Sequence, residues 1–410
     1  MYCEDAALPD VARREGTPCY VYSKGFILDR LRQYDEAFGV QPHRICYSVK
    51  ANSNLGILNL VAATGAGFDI VSGGELFRVI KAGGDPGKVV FSGVGKTADE
   101  ISCALASSIH SFNCESEAEL ALIDSLASRI GAKPHAAIRV NPDVDASTHP
   151  YISTGLSKHK FGINIGEAEK IYLRGRGLRN IVLDGVSCHI GSQLLDMEPM
   201  MDAFEKVIAL VDRLRAAGIP IRSLDLGGGL GVQYKPAEHS PDIQGFVAAL
   251  MSKVEGRELE IMIEPGRSVV AEAGVLLTRV LYRKSNGTKE FIIVDAAMND
   301  LLRPALYHSH HEIIPLRRNE TGTVVADIVG PVCESGDFLA HNREMPNVMP
   351  GDLLAVCTAG AYGFVQASNY NSRPRPAEVL VDGSEWRMIR ARETYDDLIR
   401  GETPAELPNT

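Results

Sequence analysis

Arg44-Ile45-Cys46-Tyr47-Ser48-Val49-Lys50-Ala51-Asn52-Ser53-Asn54 changes character within a few residues. Arg44 to Val49 is β-branched and aromatic, as a short strand is, and a helix-like segment begins after Asn54. Lys50 therefore sits at a strand's carboxyl end. A lysine there can point into an active-site mouth and condense with an aldehyde. Alone it decides nothing, because most lysines after strands are solvated loop residues. The stretch matters because its pattern recurs along the chain.

Strand-like segments at 44–49, 67–71, 88–92, 109–113, 135–140, 182–190, 222–226 and 259–264 alternate with helical periodicity at 55–63, 75–82, 115–130 and 200–217. Eight short apolar strands with helices between most neighbours predict a closed (β/α)8 TIM-like barrel over residues 24–268. After Arg267 the texture changes to strand-like segments at 269–281, 291–294, 323–329, 353–357 and 377–381, separated by Gly, Pro and Asn turns. The fold class expected is thus α/β plus all-β. A β-sandwich or β-barrel domain is expected from 269–410, joined by 1–23 with its strand-like 19–22.

A length of 410 residues fits two domains, and 45% hydrophobic with 23% charged residues fits a soluble globular protein. A net charge of −10 argues against nucleic acid or an anionic membrane as partner, while leaving room for a local basic pocket. No apolar run is long enough to span a bilayer, and the first residues carry no secretory pattern. Eight cysteines are scattered without a C-x-x-C pair, so zinc is not expected and a reduced, cytoplasmic setting is.

The strand ends carry the chemistry. In order they present Lys50, Asp69 with Ser72-Gly73-Gly74-Glu75, Arg139, His189-Ile190-Gly191-Ser192, Asp225-Leu226-Gly227-Gly228-Gly229, and Glu264-Pro265-Gly266-Arg267. On a barrel these converge on one mouth. The set suits an aldehyde cofactor with a phosphate and a pyridine ring. Glycines 227 to 229 and Gly266 admit a phosphate to backbone N–H groups after strands seven and eight, although a glycine run alone is usually a turn. Glu264 could keep a pyridine nitrogen protonated, or be a solvated strand-end carboxylate. His189 could stack on the ring, or be a satisfied core histidine.

Tyr-Ser-Val-Lys-Ala-Asn, the Gly67-Phe68-Asp69 segment, His-Ile-Gly-Ser-Gln, the glycine loop and Glu-Pro-Gly-Arg together resemble the fold-type III pyridoxal-phosphate decarboxylases. Residues 149–155 with Lys160-Phe161-Gly162, Met298 to Tyr307, Gly330-Pro331-Val332-Cys333-Glu334-Ser335-Gly336-Asp337 and Ala359-Gly360-Ala361-Tyr362-Gly363 extend the resemblance to nearly the whole chain. Within that group they are similar to the branch that acts on diaminopimelate.

The resemblance implies roles. Lys50 would carry pyridoxal 5'-phosphate, and His189 would pack on its ring. Gly227, Gly228, Gly229 and Gly266 would hold the phosphate, and Glu264 the ring nitrogen. Asp69, Arg139, Ser192, Arg267 and Tyr362 complete the cofactor set. Cys333 would donate the proton that replaces the carboxylate, where it would otherwise read as an apolar thiol. Arg267, Arg303, Tyr307, Glu334 and Tyr362 would bind the amino acid substrate. An unreacting zwitterionic end asks for a cation and an acceptor, which favours diaminopimelate over ornithine. The family shares its site across a homodimer, so a homodimer is expected. His308-Ser309-His310-His311 departs from the family, where an aromatic residue is commoner at the position of His310; a metal is not expected there. The rivals are a decarboxylase of ornithine, lysine, arginine or a carrier-bound amino acid, an amino acid racemase, and a non-enzymatic pyridoxal-phosphate carrier.

Overall fold

A computed structural model describes residues 1–144, 160–317 and 322–405, so residues 149–155 of the family-like segment lie outside the described residues. The chain forms two compact units, Lys24–Ala273 and Met1–Ser23 with Gly274–Thr410.

In the first unit eight parallel strands close on themselves: His43–Ser48, Gly67–Ile70, Val89–Phe91, Ser111–Cys114, His135–Asn141, Val182–Cys188, Ser223–Asp225 and Glu260–Ile263. The last pairs with the first through Met262 and Arg44, which closes the ring. A two-residue strand, Ile163–Asn164, is added beside the fifth. Strands such as Val89–Phe91 are buried along their whole length, as parallel strands covered by helices must be. The opening stretch folds as its composition dictates. The strand ends at Ser48, a 3₁₀ turn spans Val49–Ala51, and the Asn54 side chain accepts the Gly56 N–H to start the helix Leu55–Ala63.

The second unit is a nine-stranded mixed sheet with Gly274–Asn286 as its spine. Cys19–Ser23 lies between that strand and Ala377–Asp382, antiparallel to the first and parallel to the second. Val11, Cys19, Val21, Leu277, Ala355, Val379 and Val381 pack into its core.

One element differs from the sequence reading. The segment 269–281 reads as strand throughout, because Val269 and Val270 are β-branched. Instead Arg267–Val270 is a helical turn, and the strand begins at Gly274. The Val270 and Ala271 N–H groups donate back to the Gly266 and Arg267 carbonyls, so local hydrogen bonding overrides propensity. Among the described residues no helix is long and apolar enough to cross a membrane.

Candidate active site

Lys50 Nζ donates to Asp69 Oδ2 at 2.5 Å. Asp69 is fully buried at the end of the second strand. Ser48 Oγ lies 2.9 Å from both that oxygen and the Glu264 carbonyl, tying the ends of strands one, two and eight together. The second oxygen of Asp69, Oδ1, is buried with no hydrogen-bond partner among the described residues.

Below Glu264 lies a polar layer supplied by strands three, four and seven. Ser92 Oγ donates to Glu264 Oε1 at 3.1 Å. The Asn113 amide nitrogen reaches Asp225 Oδ2 at 2.7 Å, Ser92 Oγ at 3.1 Å and Glu264 Oε1 at 3.2 Å. Asp225 Oδ1 accepts the Gly227 N–H at 2.9 Å. Burial, then the nearby Asp225 and Asp69, push the Glu264 carboxyl well above the usual carboxylate range, with Lys50 opposing. Burial also raises Asp225. Two carboxyls so enclosed do not both ionise readily, and the pair holds its protons as a unit.

His189 is held neutral, because burial and the cations Arg139 and Lys50 pull its pKa well down. Its Nδ1 accepts the Gly228 N–H at 3.2 Å, which puts the imidazole proton on Nε2. Around this contact the glycine loop leaves no room for side chains. A Cβ on Gly228 would stand 2.3 Å from the Glu264 carbonyl oxygen, and one on Gly227 2.6 Å from that of Cys188. On Gly266 a Cβ would meet those of Ser48 and Ala51 at 2.9 Å.

Two arginines join the set. Arg139 pairs with buried Glu115 at 2.7 Å, lies over the Phe161 ring, and its NH2 stands 3.5 Å from the His189 carbonyl. Arg267 donates to Ser192 Oγ at 3.0 Å and to the Tyr234 hydroxyl at 2.7 Å.

The remaining candidates lie in the β-rich unit. Cys333 is exposed, and its N–H donates to Asn371 Oδ1 at 2.7 Å. Glu334 Oε2 accepts the Tyr370 hydroxyl at 2.9 Å. Asp337 fixes their loop by accepting the Val332 and Met298 N–H groups, each at 2.7 Å. Tyr307 accepts from Gln366 at 3.2 Å, and Tyr362 adopts a left-handed backbone with φ of 56°. Arg303, nearly buried, donates to His311 Nε2 and Ser309 Oγ, both at 3.3 Å. His310 sits between Glu312, 3.2 Å from its Nε2, and Arg343, 3.1 Å from its Nδ1. Among the described residues no three His, Cys, Asp or Glu side chains gather as metal ligands would.

Residues 24–271 match the family described as pyridoxal-dependent decarboxylase, pyridoxal binding domain. The chain is 54% identical over 404 residues to diaminopimelate decarboxylase of Pseudomonas aeruginosa, covering 98% of this chain and 97% of that one. The chain belongs to this decarboxylase family. Diaminopimelate decarboxylase of Vibrio cholerae is 51% identical, over 97% of this chain and 95% of its own length. The crystal structure of diaminopimelate decarboxylase from Helicobacter pylori complexed with L-lysine superposes with a TM-score of 0.92 at 44% identity, covering 96% of this chain and 98% of that chain.

The cofactor of pyridoxal-dependent decarboxylases fits what the barrel offers. It needs an amine, here Lys50 beside a buried carboxylate, and a phosphate cradle, here a loop whose glycines cannot carry Cβ atoms. A pyridine nitrogen needs a buried acid, which Glu264 is. Asp69 Oδ1 and Asn113 Oδ1 are buried oxygens without partners among the described residues, as a site built for a polar ligand leaves them. Sequence reading placed Asp225 at a strand end without giving it a role, and missed Ser92 and Asn113. The strand-end rule that singled out Lys50 and Glu264 applies equally to these two, since they end the strand-like segments 88–92 and 109–113.

Proposed function

We propose that the chain decarboxylates meso-diaminopimelate, using pyridoxal phosphate, to L-lysine and carbon dioxide, the last step of lysine biosynthesis. The observation that carries this reading is 54% identity to a diaminopimelate decarboxylase over 98% of the chain. Pyridoxal phosphate, when bound, supplies an aldehyde for the substrate amine and a ring that accepts the electrons of the broken carbon–carbon bond.

The protein's part is positioning and proton control. Lys50 would tether the cofactor, and Asp69 accepts a proton of its ammonium when it is free. Glu264 would stand as the acid partner of the ring nitrogen; burial disfavours its carboxylate, so the positive charge of a protonated ring would have to offset that cost. A neutral His189 would pack on the ring without setting a second positive charge beside it. Gly227 to Gly229, Gly266, Ser192 and Arg267 hold the phosphate side, with Arg139 and Tyr362 completing the set. Cys333 delivers the proton that replaces the carboxylate. Arg303, Arg267 and Tyr307 bind the carboxylate of the unreacting end, while Glu334, with Tyr362, takes its ammonium. The working form is a homodimer in the cytoplasm, with each site completed by the partner.

Carbon dioxide release from meso-diaminopimelate, ornithine, lysine and arginine tests the substrate. Turnover of the first alone is expected, and robust turnover of another with none of the first overturns the reading. Sedimentation of the purified protein tests the dimer.

A further inference from the structure

The histidine run after Tyr307 contributes a side chain to which no role has been assigned. His311 is fully buried, whereas Ser309 and His310 beside it are partly exposed. Its Nδ1 lies 2.9 Å from the Cys357 carbonyl oxygen, and its Nε2 lies 3.3 Å from Arg303 Nε. A carbonyl only accepts and a guanidinium only donates. Both contacts can be made at once by one species, the neutral imidazole with its proton on Nδ1.

We propose that His311 is a positioning residue for Arg303, fixing the guanidinium for the distal carboxylate of the substrate through a neutral imidazole. The inference rests on the reading that Arg303 binds that carboxylate. Two neutral acceptors, His311 Nε2 and Ser309 Oγ, orient the guanidinium, and neither cancels its charge. The strand Leu353–Val356 leads directly to Cys357, so the imidazole is referenced to the sheet rather than to a mobile side chain. Arg343 donates to the His311 carbonyl at 3.0 Å and lies 3.5 Å from Glu312, fixing the backbone on the other side. Tyr20 stands close to the same arginine.

A second proton on the imidazole would set Nε2–H against the Arg303 Nε–H, donor against donor, so only the neutral form fits both contacts. Loss of the contact should act on substrate binding, through KM rather than through the bond-breaking step.

The test compares H311F, H311Q and the parent holoenzyme. H311F leaves both partners unsatisfied and should raise KM roughly ten- to a hundredfold, with a smaller change in kcat. H311Q can still donate to Cys357 and accept from Arg303, so it should recover most of the loss. The dissociation constant of L-lysine, by calorimetry, should follow KM, while the absorbance of bound cofactor should not move. An unchanged KM in H311F, or a KM and lysine constant raised as far in H311Q as in H311F, overturns the inference. H311Q decides even if H311F does not fold, because a roughly tenfold or greater rise in its KM overturns the inference and a near-parental KM supports it. R303Q separates the two readings: an unaltered KM there defeats the substrate assignment, whereas a raised KM beside an unaffected H311F defeats this inference alone.

Discussion

At the residue scale the site is organised around a proton. Glu264 and Asp225 are both buried, and the Asn113 amide bridges them. A buried pair of like groups costs stability and is kept for what it does. D225N should therefore stabilise the cofactor-free protein, raising its melting temperature, and yet lower turnover. The orphaned Asn113 Oδ1 is the acceptor that an amide at 225 would find after a flip. A falling melting temperature together with normal turnover would instead make Asp225 a structural residue. E264Q cannot give up its proton as an acid does, and should lose roughly a hundredfold or more in kcat, measured with saturating cofactor. K50A should retain no cofactor after borohydride reduction and denaturation, read by mass spectrometry of the intact chain.

At the element scale the first unit was largely legible. Eight apolar strands announce themselves because both faces are covered, and their chemistry stands at the carboxyl ends. In the β-rich unit the strands Phe338–Pro346 and Glu385–Arg390 escaped notice. They lie at the two ends of the sheet path, and His341, Asn342, Glu344, Arg387 and Arg390 give them the charge of edge strands rather than an apolar signature. The polar layer under Glu264 was hidden for another reason. Ser92 and Asn113 are common turn residues, and only closure of the barrel brings them together. The glycine loop carries its own test. G228A would drive a Cβ into the Glu264 carbonyl and displace both the phosphate cradle and the acid, so it should weaken cofactor binding more than tenfold, measured by fluorescence titration.

At the scale of the whole molecule, burial sets two opposing pH dependences of stability. Asp300 is raised to about 7, chiefly by burial, with the Ala297 N–H pulling the other way. It holds its proton in the folded chain where the unfolded chain has lost it, so its contribution declines as pH rises from about 4 to about 7. His110 is lowered to about 4, by burial first and then by Arg44. It is neutral when folded and protonated when unfolded, so its contribution is lost as pH falls from about 6.5 to about 4. Melting temperatures of D300N and the parent should coincide below about pH 4 and separate in favour of D300N up to about pH 7. H110N should differ from the parent most on the acid side.

The β-rich unit is assembled from both ends of the chain. Cys19 pairs with Ala377 in the sheet, and the Met1 amino group donates to the Leu316 carbonyl. On the ribosome, strand 19–23 must therefore wait while more than 350 residues are made, roughly 20 to 70 s at ordinary rates of synthesis. The barrel, contiguous from Lys24 to Ala273, can close during that delay. Until Ala377–Asp382 emerges, an apolar strand bearing Val21 and Tyr22 has one edge without its parallel neighbour. Chains interrupted shortly before residue 377 would display that edge permanently, and should be recovered with chaperones or in aggregates rather than as a smaller folded protein.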